Sequence, residues 1–368
     1  MACPEKQLQR ISKQFQICGE LIHAVPLRIG HINETWSATY SQGGARVRYI
    51  HQKLNRSVFR NPPAVMKNVV RVTGHIREKL EARKASDITR RCLVLIPTWD
   101  GHSCYRDAKG EYWRTFIFVE GARTFQAAQS PRQAFEAGRA FGEFQVHLVD
   151  LPGGRLLETI PDFHNTRKRF ASFQKAVAND RFNRARNARP EINFALEREG
   201  FVDVILNAMA GGRLPERVTH NDTNFNNVML DSKTGRALCV VDLDTVMPGC
   251  ALYDFGDMVR STTSPVCEDE RDLSRIRMQM PMFRKLAEGY LSAVGRFLTR
   301  GERSLMAFSG KLITFELGLR FLTDYLTRDS YFRVHRPGHN LDRCRAQFKL
   351  VESIERQEEK MQAYADRL

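Results

Sequence analysis

Five polar residues close together in the chain have the types and spacing that phosphoryl-transfer chemistry requires. In "RVTHNDTNFNNVMLDSKTGRALCVVDLDTV", His220 precedes Asp222, Asn227 follows that aspartate, and Asp242 and Asp244 come near the end of the stretch. A carboxylate can accept the proton of an attacking hydroxyl. An amide oxygen and a second carboxylate can hold Mg²⁺, a hard cation that prefers oxygen ligands. The stretch therefore predicts proton abstraction and magnesium binding.

Each of these residues could instead be structural, because Asp and Asn are frequent in turns. The combination is more specific, since the spacing from Asp222 to Asn227 matches the catalytic loop H-R-D-x-x-x-x-N. The later letters "YDFGD" contain DFG, but Asp254 lies thirty-two residues beyond Asp222, at the start of a helical pattern. We predict that Asp242 is the metal ligand and that Asp254 braces the loop by accepting backbone N–H groups.

The first third of the chain has the patterns of a small sheet with one helix. Residues 25–54 show partial strand alternation, with a tight turn predicted at Gly43-Gly44. The segments "RCLVLIP", "SCYRD" and "EYWRTFIFVEG" predict three more short strands. Between these groups two prolines open a helix, whose apolar residues recur at Val65, Val69, Val72 and Ile76.

Helical patterns dominate after Gly121. Ser130 is a predicted N-cap, with Pro131 at the first helical position. Two short apolar stretches around the turn "DSKTG" interrupt the helices and predict a hairpin. We therefore predict an α+β fold in two domains, residues 1–120 and residues 121–368.

Composition narrows the partners. The 368 residues carry 57 Lys and Arg against 42 Asp and Glu, a net charge of +15 that attracts anions such as nucleotides. The sequence has no run of five or more basic residues and no nucleic-acid-binding module, so we predict no nucleic-acid partner. No apolar run approaches the roughly 20 residues that cross a bilayer, and no signal-peptide core is visible. Eight scattered cysteines indicate reduced thiols and a cytoplasmic protein.

The motif set resembles the aminoglycoside phosphotransferase and choline kinase superfamily, and more narrowly the N-acetylhexosamine 1-kinases. The resemblance begins with "THNDTNFNNVML" and "VVDLDTVMPGCALYDFGD" and continues, in the same order as in those enzymes, over most of the chain. It includes "GHINETW", "QKLNRSVFRNPPAVMKNV", "WRTFIFVEG", "IPDFHNT", "LRFLTDYL" and "YFRVHRPGHNLDRCRAQFKLVESIE". The resemblance implies a bilobal, protein-kinase-like fold that uses ATP and Mg²⁺ to phosphorylate the anomeric hydroxyl of an N-acetylhexosamine.

The resemblance also implies roles in the loop. Asp222 would be the catalytic base toward the sugar hydroxyl, and His220 would hold the loop by hydrogen bonding. Asn227 and Asp242 would hold Mg²⁺, with Asp244 assisting. Residues 1–120 would bind the nucleotide, and residues 121–368 would supply catalysis and substrate binding.

Nucleotide contacts are implied at three places. In the phosphate loop, "IGHINET", Gly30, Asn33 and Thr35 would cradle phosphates, although the motif G-x-G-x-x-G is absent. On the third strand either Gln52 or Lys53 would meet the phosphates, because neighbouring strand residues point to opposite faces. The segment between the lobes would bond the adenine edge through its backbone from Phe118 to Glu120.

Sugar recognition is expected from the helical part, since sugars bind planar hydrogen-bond donors and aromatic surfaces. Any of these residues could instead be a buried structural partner. The candidates are His164, Arg320, Asp324, Tyr331, His339 and Arg343.

An aminoglycoside or another amino alcohol is the alternative acceptor. Aminoglycosides are polycations that favour acidic pockets, whereas the last 68 residues carry 12 Lys and Arg against 10 Asp and Glu. Choline would require an aromatic cage. A binding-only pseudokinase is disfavoured because the base, the amide and the metal carboxylate are all present.

Overall fold

In the computed structural model, which describes residues 5–27 and 32–368, the first third of the chain forms an antiparallel sheet. Its elements are α1 (Glu5–Ser12), β1 (Glu20–Leu27), β2 (Glu34–Gln42), β3 (Ala45–Lys53), α2 (Pro62–Ala82), α3 (Ile88–Arg91), β4 (Leu95–Ile96), β5 (Tyr105–Arg106) and β6 (Tyr112–Ile117). The strand order is β1-β2-β3-β6-β4, and β5 also pairs with β6. Gly43 and Gly44 connect β2 to β3 with φ of 56° and 86°, so the predicted turn is confirmed.

The core of this sheet follows the alternation of its strands. Trp36, Ala38 and Tyr40 of β2 are buried in one cluster with Trp113 of β6. Trp36 and Trp113 lie with their ring centroids 5.5 Å apart. Side chains of this size contribute most of the apolar area that stabilises a small sheet.

A buried histidine lies at the centre of the sheet. Both ring nitrogens of His51 on β3 form hydrogen bonds of 2.8 Å, one with the hydroxyl of Tyr40 and one with the hydroxyl of Thr115. Because burial disfavours the charged imidazolium, the pKa of His51 falls to about 4.

The predicted helix is confirmed as α2. Asn61 caps it by accepting a hydrogen bond from the backbone N–H of Ala64 at 3.2 Å, and prolines occupy its first turn. The four residues with helical apolar spacing are all buried: Val65, Val69, Val72 and Ile76.

The chain divides into two compact units that are not continuous in sequence. The first comprises Met1–Ala122, Asp150–Pro161 and Leu238–Met247, and the second comprises Arg123–Val149, Asp162–Ala237 and Pro248–Leu368.

Asn68 on α2 secures both short segments within the first unit. Its amide nitrogen donates to the carbonyl oxygens of Leu157 at 2.7 Å and Val246 at 3.0 Å, and its amide oxygen accepts from the N–H of Leu157 at 3.1 Å. Thr159 adds a hydrogen bond of 2.8 Å to the carbonyl oxygen of Asp244. The segment that carries Asp242 and Asp244 is thereby fixed to the first unit.

Helices dominate the chain after its first third, and the predicted α+β class is confirmed. The remaining strands are β7 (Ala122–Arg123), β8 (Arg217–Thr219), β9 (Val228–Asp231), β10 (Ala237–Val240) and β11 (Met247–Gly249). The remaining helices are α4 (Pro131–His147), α5 (Thr166–Asn179), α6 (Arg189–Leu196), α7 (Val204–Ala210), α8 (Ala251–Thr263), α9 (Met280–Val294), α10 (Arg300–Ser304), α11 (Met306–Leu326), α12 (His339–Glu355) and α13 (Glu358–Ala365). Within residues 5–27 and 32–368, no helix combines the length and apolar character needed to cross a bilayer.

Two local features show how the second unit is built. The hydroxyl of Ser130 accepts a hydrogen bond from the N–H of Gln133, which confirms the predicted cap of α4. Helices α8 and α11 touch where Gly256 faces Ser309, and a Cβ on that glycine would lie only 2.3 Å from the serine carbonyl oxygen. This close approach places the polar residues of α8 and α11 near one another.

Candidate active site

The loop that follows β8 has a strained start. Asn221, between His220 and Asp222, adopts a left-handed conformation with φ of 63°. Gly249 lies against it, and a Cβ at Gly249 would be 2.6 Å from the side-chain oxygen of Asn221. A non-glycine residue with positive φ persists only where its surroundings hold it, so the loop is fixed by its contacts.

Asp254 on α8 provides those contacts. Its Oδ2 accepts the N–H of His220 at 3.0 Å, and its Oδ1 accepts the N–H of Asn221 at 2.7 Å. The amide of Gln145 donates to Oδ2 at 2.7 Å, and Thr223 donates its hydroxyl to the backbone oxygen of Asp254 at 2.6 Å. The prediction that Asp254 braces the loop through backbone N–H groups is confirmed.

His220 is buried under the loop. Its ring packs edge-on against Phe141 and Phe144, with centroids 5.4 and 5.6 Å away. Its Nδ1 accepts the backbone N–H of Asp222 at 3.3 Å. These contacts agree with the predicted role of His220 in holding the loop.

Two amides hold the carboxylate of Asp222. Asn224 donates to Oδ1, and Asn227 donates to Oδ2 at 3.2 Å and to the backbone oxygen of Asp222 at 2.8 Å. Burial raises the pKa of Asp222 to about 6, and the nearby carboxylate of Asp257 adds to the rise. A carboxylate with a pKa near the working pH is suited to take a proton in the transition state.

Two guanidinium groups moderate that rise, because the charge of Arg260 on α8 and then that of Arg320 on α11 lower the pKa of Asp222. Arg320 lies over three aromatic rings, with distances to their centroids of 5.1 Å for Phe163, 5.8 Å for Tyr331 and 5.4 Å for Phe332. Among the described residues it forms no hydrogen bond or ion pair. Tyr331 is 47% exposed, so Arg320 and Tyr331 form a polar and aromatic surface.

His164, another candidate for the sugar, uses both ring nitrogens inside the second unit. Nδ1 lies 2.8 Å from Glu316 Oε1, and Nε2 lies 2.9 Å from the backbone oxygen of Asn221. Burial alone would lower the pKa of His164, but the Glu316 carboxylate outweighs it and raises that pKa. A protonated ring can donate at both positions, which ties α11 to the loop.

Asp324 is a buried scaffold for the turn that carries Tyr331. Its carboxylate accepts the backbone N–H groups of Ser330, Tyr331 and Phe332, each at 2.8 Å, and the amide of Asn340 at 2.9 Å.

The last two sugar candidates are also buried and engaged. His339 contacts the backbone N–H of His335 and the carboxylate of Asp269. Arg343 donates to the backbone oxygen of Arg333 at 3.1 Å.

In the first unit, a buried arginine organises the predicted nucleotide residues. Arg114 on β6 donates from both terminal nitrogens to the carboxylate of Asp244, and from Nε to the side-chain oxygen of Gln52 at 3.0 Å. Asn33 donates to Asp244 Oδ2 at 2.6 Å, and Gln52 donates to the hydroxyl of Thr35 at 3.0 Å. Both carboxylate oxygens of Asp244 are therefore in use.

Gln52 and Lys53 follow the predicted strand alternation. Gln52 belongs to the Arg114 and Asp244 network, whereas Lys53 pairs with Glu34, its neighbour across β2 and β3. The structure groups Gln52, and not Lys53, with Asn33 and Thr35. Gly30 lies outside the described residues.

The segment from Phe118 to Glu120 already uses part of its backbone. The N–H of Phe118 donates to the carbonyl oxygen of Arg48 at 3.1 Å, and the carbonyl oxygen of Glu120 accepts from Arg90 at 2.9 Å. The Glu120 side chain pairs with Arg48, whose guanidinium lies 3.8 Å from the ring centroid of Phe118. Adenine binding through this segment stays a prediction.

The metal ligands also stay a prediction. Asp242 has a left-handed backbone, with φ of 60°, at the start of the 3-10 helix Leu243–Thr245. Within the described part of the chain, no group of three or more His, Cys, Asp or Glu side chains could hold a metal ion. The donor chemistry of Asn227 and Asp242 nonetheless fits Mg²⁺, which commonly takes few protein oxygens together with phosphate oxygens.

Comparison with known proteins identifies the family of this chain. Residues 23–291 match the profile of the phosphotransferase enzyme family (APH). The chain belongs to this family. Membership in the aminoglycoside phosphotransferase and choline kinase superfamily is therefore confirmed, and the narrower N-acetylhexosamine 1-kinase assignment stays a prediction.

Solved structures support the fold of this phosphotransferase. One is an aminoglycoside phosphotransferase from Alicyclobacillus acidocaldarius subsp. acidocaldarius DSM 446, at 11% identity over 100% of this chain and 98% of that one, with a TM-score of 0.61. A microcompartment-associated aminopropanol kinase is 15% identical over 97% of this chain and 98% of that one, with a TM-score of 0.58. Spectinomycin phosphotransferase in complex with ADP and spectinomycin is 12% identical over 96% of this chain and 98% of that one, with a TM-score of 0.52. Identities this low show the fold alone.

Sequence reasoning missed several polar residues of this phosphotransferase. Arg114 lies in the buried strand segment "YWRTFI", and a charge in an apolar strand signals a buried counter-ion. Glu316 sits in the long apolar helix α11 and gives the same signal. Asp257 and Arg260 on α8 are three residues apart, a spacing that makes them neighbours on the helix surface.

Proposed function

We propose that this phosphotransferase is an ATP- and Mg²⁺-dependent sugar kinase that phosphorylates the anomeric hydroxyl of an N-acetylhexosamine. The observation that carries the proposal is that the charge of Arg320 acts on Asp222, whose pKa is raised to about 6, while Arg320 lies over three aromatic rings and has no hydrogen bond or ion pair among the described residues. A base beside a planar donor and aromatic faces suits a neutral sugar.

Asp222 is the general base of the proposed reaction. The acceptor oxygen forms a bond to the γ-phosphorus of ATP, and the bond between that phosphorus and the β–γ bridging oxygen breaks. ADP leaves, and the acceptor's hydroxyl proton passes to Asp222. The amides of Asn224 and Asn227 fix the direction of the carboxylate, and such positioning supplies much of the catalysis in phosphoryl transfer.

Asn227 and Asp242 are the proposed ligands of Mg²⁺, which would neutralise charge on the phosphates. Asp244 instead serves as an anchor in this proposal, because Arg114 and Asn33 use both of its oxygens. Through it, Arg114 holds the segment that presents Asp242.

Asn33, Thr35 and Gln52 are proposed to lie at the phosphates, since one hydrogen-bonded network joins them through Arg114 and Asp244. The adenine is assigned to the backbone of residues 118–120. Gly30 remains part of the proposed phosphate loop. The ADP in the spectinomycin phosphotransferase complex supports an adenine nucleotide as the donor.

Arg320 and Tyr331 are the proposed sugar ligands. Arg320 can donate to ring hydroxyls or to the carbonyl of an N-acetyl group, and the Tyr331 ring offers an apolar face. We assign His164, Asp324, His339 and Arg343 to positioning, because their polar atoms bind the protein itself. The free cysteines of the described chain support a reducing, cytoplasmic setting.

An amino-alcohol or aminoglycoside acceptor is the second candidate. The observation that favours it is the pair of carboxylates, Asp222 and Asp257, whose charges interact. Two adjacent carboxylates would suit an ammonium group, whereas Arg320 would repel one.

The test measures ADP released from Mg²⁺-ATP with N-acetylglucosamine, N-acetylgalactosamine, kanamycin, choline or aminopropanol. We expect turnover with an N-acetylhexosamine and a product whose phosphorus NMR signal shows a phosphate on the anomeric oxygen. The variant Asp222→Asn controls for contaminating kinases. Turnover with only the cationic acceptors would replace the sugar assignment with the second candidate.

A further inference from the structure

A hydrogen-bonded series of three side chains, Asp257, Arg260 and Asn224, connects helix α8 to the proposed base Asp222. Asp257 Oδ1 accepts from Arg260 Nε at 2.7 Å, Arg260 Nη2 donates to Asn224 Oδ1, and Asn224 Nδ2 donates to Asp222 Oδ1. Asp257 and Arg260 are only 5% and 6% exposed. A charged pair this deeply buried costs free energy through desolvation, so its presence calls for an explanation beyond stability.

The chemistry of arginine fixes the donor and the acceptor in each hydrogen bond of this series. A guanidinium can only donate hydrogen bonds, so Arg260 requires the oxygen end of the Asn224 amide. The nitrogen end of the same amide must then face Asp222, which can accept it when ionised. Without Arg260, the amide could rotate and present its oxygen to the carboxylate, which would repel it.

The carboxylates around Arg260 fix its orientation. Asp257 binds Nε, and Glu268 lies 3.6 Å from Nη1. The second oxygen of Asp257 is buried and has no hydrogen-bond partner among the described residues, so the hydrogen bond that Asp257 forms through its side chain is the one to Arg260. Asp257 is thus the fixed end of the hydrogen-bonded series.

We propose that Arg260, held by Asp257, is a positioning residue that orients the Asn224 amide toward the catalytic base. The inference rests on the proposed function, because it assigns Asp222 the proton-accepting role. Arg260 does not touch the substrate. Its effect is to keep a donor on Oδ1 of Asp222 while Asn227 holds Oδ2, so that the carboxylate presents a fixed lone pair to the incoming hydroxyl.

A double-mutant cycle on kcat tests this dependence. A hydrogen bond to a charged group contributes about 1.5–3 kcal/mol, so Asn224→Ala and Arg260→Met should each lower kcat by about 10- to 100-fold. The KM values for ATP and acceptor should change less than threefold. The charge of Arg260 also lowers the pKa of Asp222 directly, so the cycle is measured well above pH 7, where Asp222 is ionised in every variant. There Arg260 acts through Asn224, and the double variant should be no slower than Asn224→Ala. Arg260→Lys, which keeps a donor, should recover part of the rate.

Arg198→Met is the matched control, since Arg198 forms a comparable pair with Glu355, with both hydrogen bonds at 3.0 Å. It should lower stability and leave kcat within threefold. Additive losses in the double variant, or an equal loss in Arg198→Met, would overturn the proposal.

A second measurement does not depend on turnover. With selectively labelled asparagine, the side-chain NH₂ signal of Asn224 in the folded wild type should show slow hydrogen exchange, and Asp257→Asn or Arg260→Lys should accelerate it about tenfold or more. Unchanged exchange in both variants overturns the inference. An inactive wild type whose Asn224 signal responds as expected would instead count against the proposed function alone.

Discussion

Removing the Asp254 carboxylate tests the most direct link between helix α8 and the catalytic loop. The change Asp254→Ala leaves three buried donors without their acceptor: the backbone N–H groups of His220 and Asn221 and the amide of Gln145. The loop conformation depends on the first two, because Asn221 adopts a left-handed backbone.

The expected loss follows from those donors. Each buried donor left unsatisfied costs about 1–3 kcal/mol. Water that enters the space left by the carboxylate relieves part of the loss, so we expect the free energy of unfolding of the second unit to fall by about 3–5 kcal/mol, as for other broken buried charge interactions. A loss of about 3 kcal/mol accelerates amide exchange by roughly 150-fold where exchange reports that unfolding.

Two spectroscopic probes separate the units. Trp36, Trp99 and Trp113, the three tryptophans of the sequence, all lie in the first unit, so their fluorescence reports its unfolding. Circular dichroism at 222 nm, followed in urea, reports the loss of helical structure, and most of the helices belong to the second unit. Amide exchange at His220 and Asn221 gives the local readout.

Asp180→Ala is the matched control, because Asp180 also accepts two backbone N–H groups, those of Arg184 and Ala185. It should leave exchange at His220 and Asn221 unchanged. If Asp254→Ala kept those two amides protected and lowered the stability by less than about 1 kcal/mol, Asp254 would not be the brace.

Three further predictions concern chemistry and stability. Asp222→Asn should lower kcat by about 10²- to 10⁴-fold with little change in nucleotide affinity by calorimetry, and near-normal rates would contradict its role as base. Asp242→Asn, which tolerates the left-handed backbone, should raise the Mg²⁺ concentration needed for half-maximal activity by about tenfold or more; an unchanged requirement would exclude it as a ligand. His51, with its pKa lowered to about 4, is neutral when folded. Because the unfolded chain takes up the proton below about pH 6.5, the first unit should lose about 3 kcal/mol between pH 7 and pH 4 in urea titrations followed by tryptophan fluorescence. His51→Gln should remove that loss, and a loss of the same size in this variant would assign it to other groups.

Local patterns predicted what local physics decides. The strands, the Gly43-Gly44 turn, helix α2 and the cap of α4 all depend on nearby residues, and the structure confirms them. The brace role of Asp254 could also be inferred, because its distance from the hairpin excluded it as a metal ligand within that hairpin.

Contacts between distant positions could not be predicted. Arg114 and Asp244 are 130 residues apart, and the association of Asp150–Pro161 with the first unit rests on contacts such as that between Asn68 and Leu157. Hydrophobic periodicity also could not show which face of α11 is accessible, because this helix is buried on nearly all sides. The sequence therefore could not distinguish the partly accessible Arg320 from the enclosed Asp324 one turn later.

The left-handed residues Asn221 and Asp242 allow a saturation library to distinguish backbone demands from chemical ones. Glycine reaches φ near 60° without a Cβ penalty, whereas valine and isoleucine resist it. Clones with glycine at 221 would survive selection for activity, since that side chain has no assigned chemical role. Clones with glycine at 242 would fold and yet be eliminated, and that contrast would mark position 242 as the one whose side chain participates in turnover.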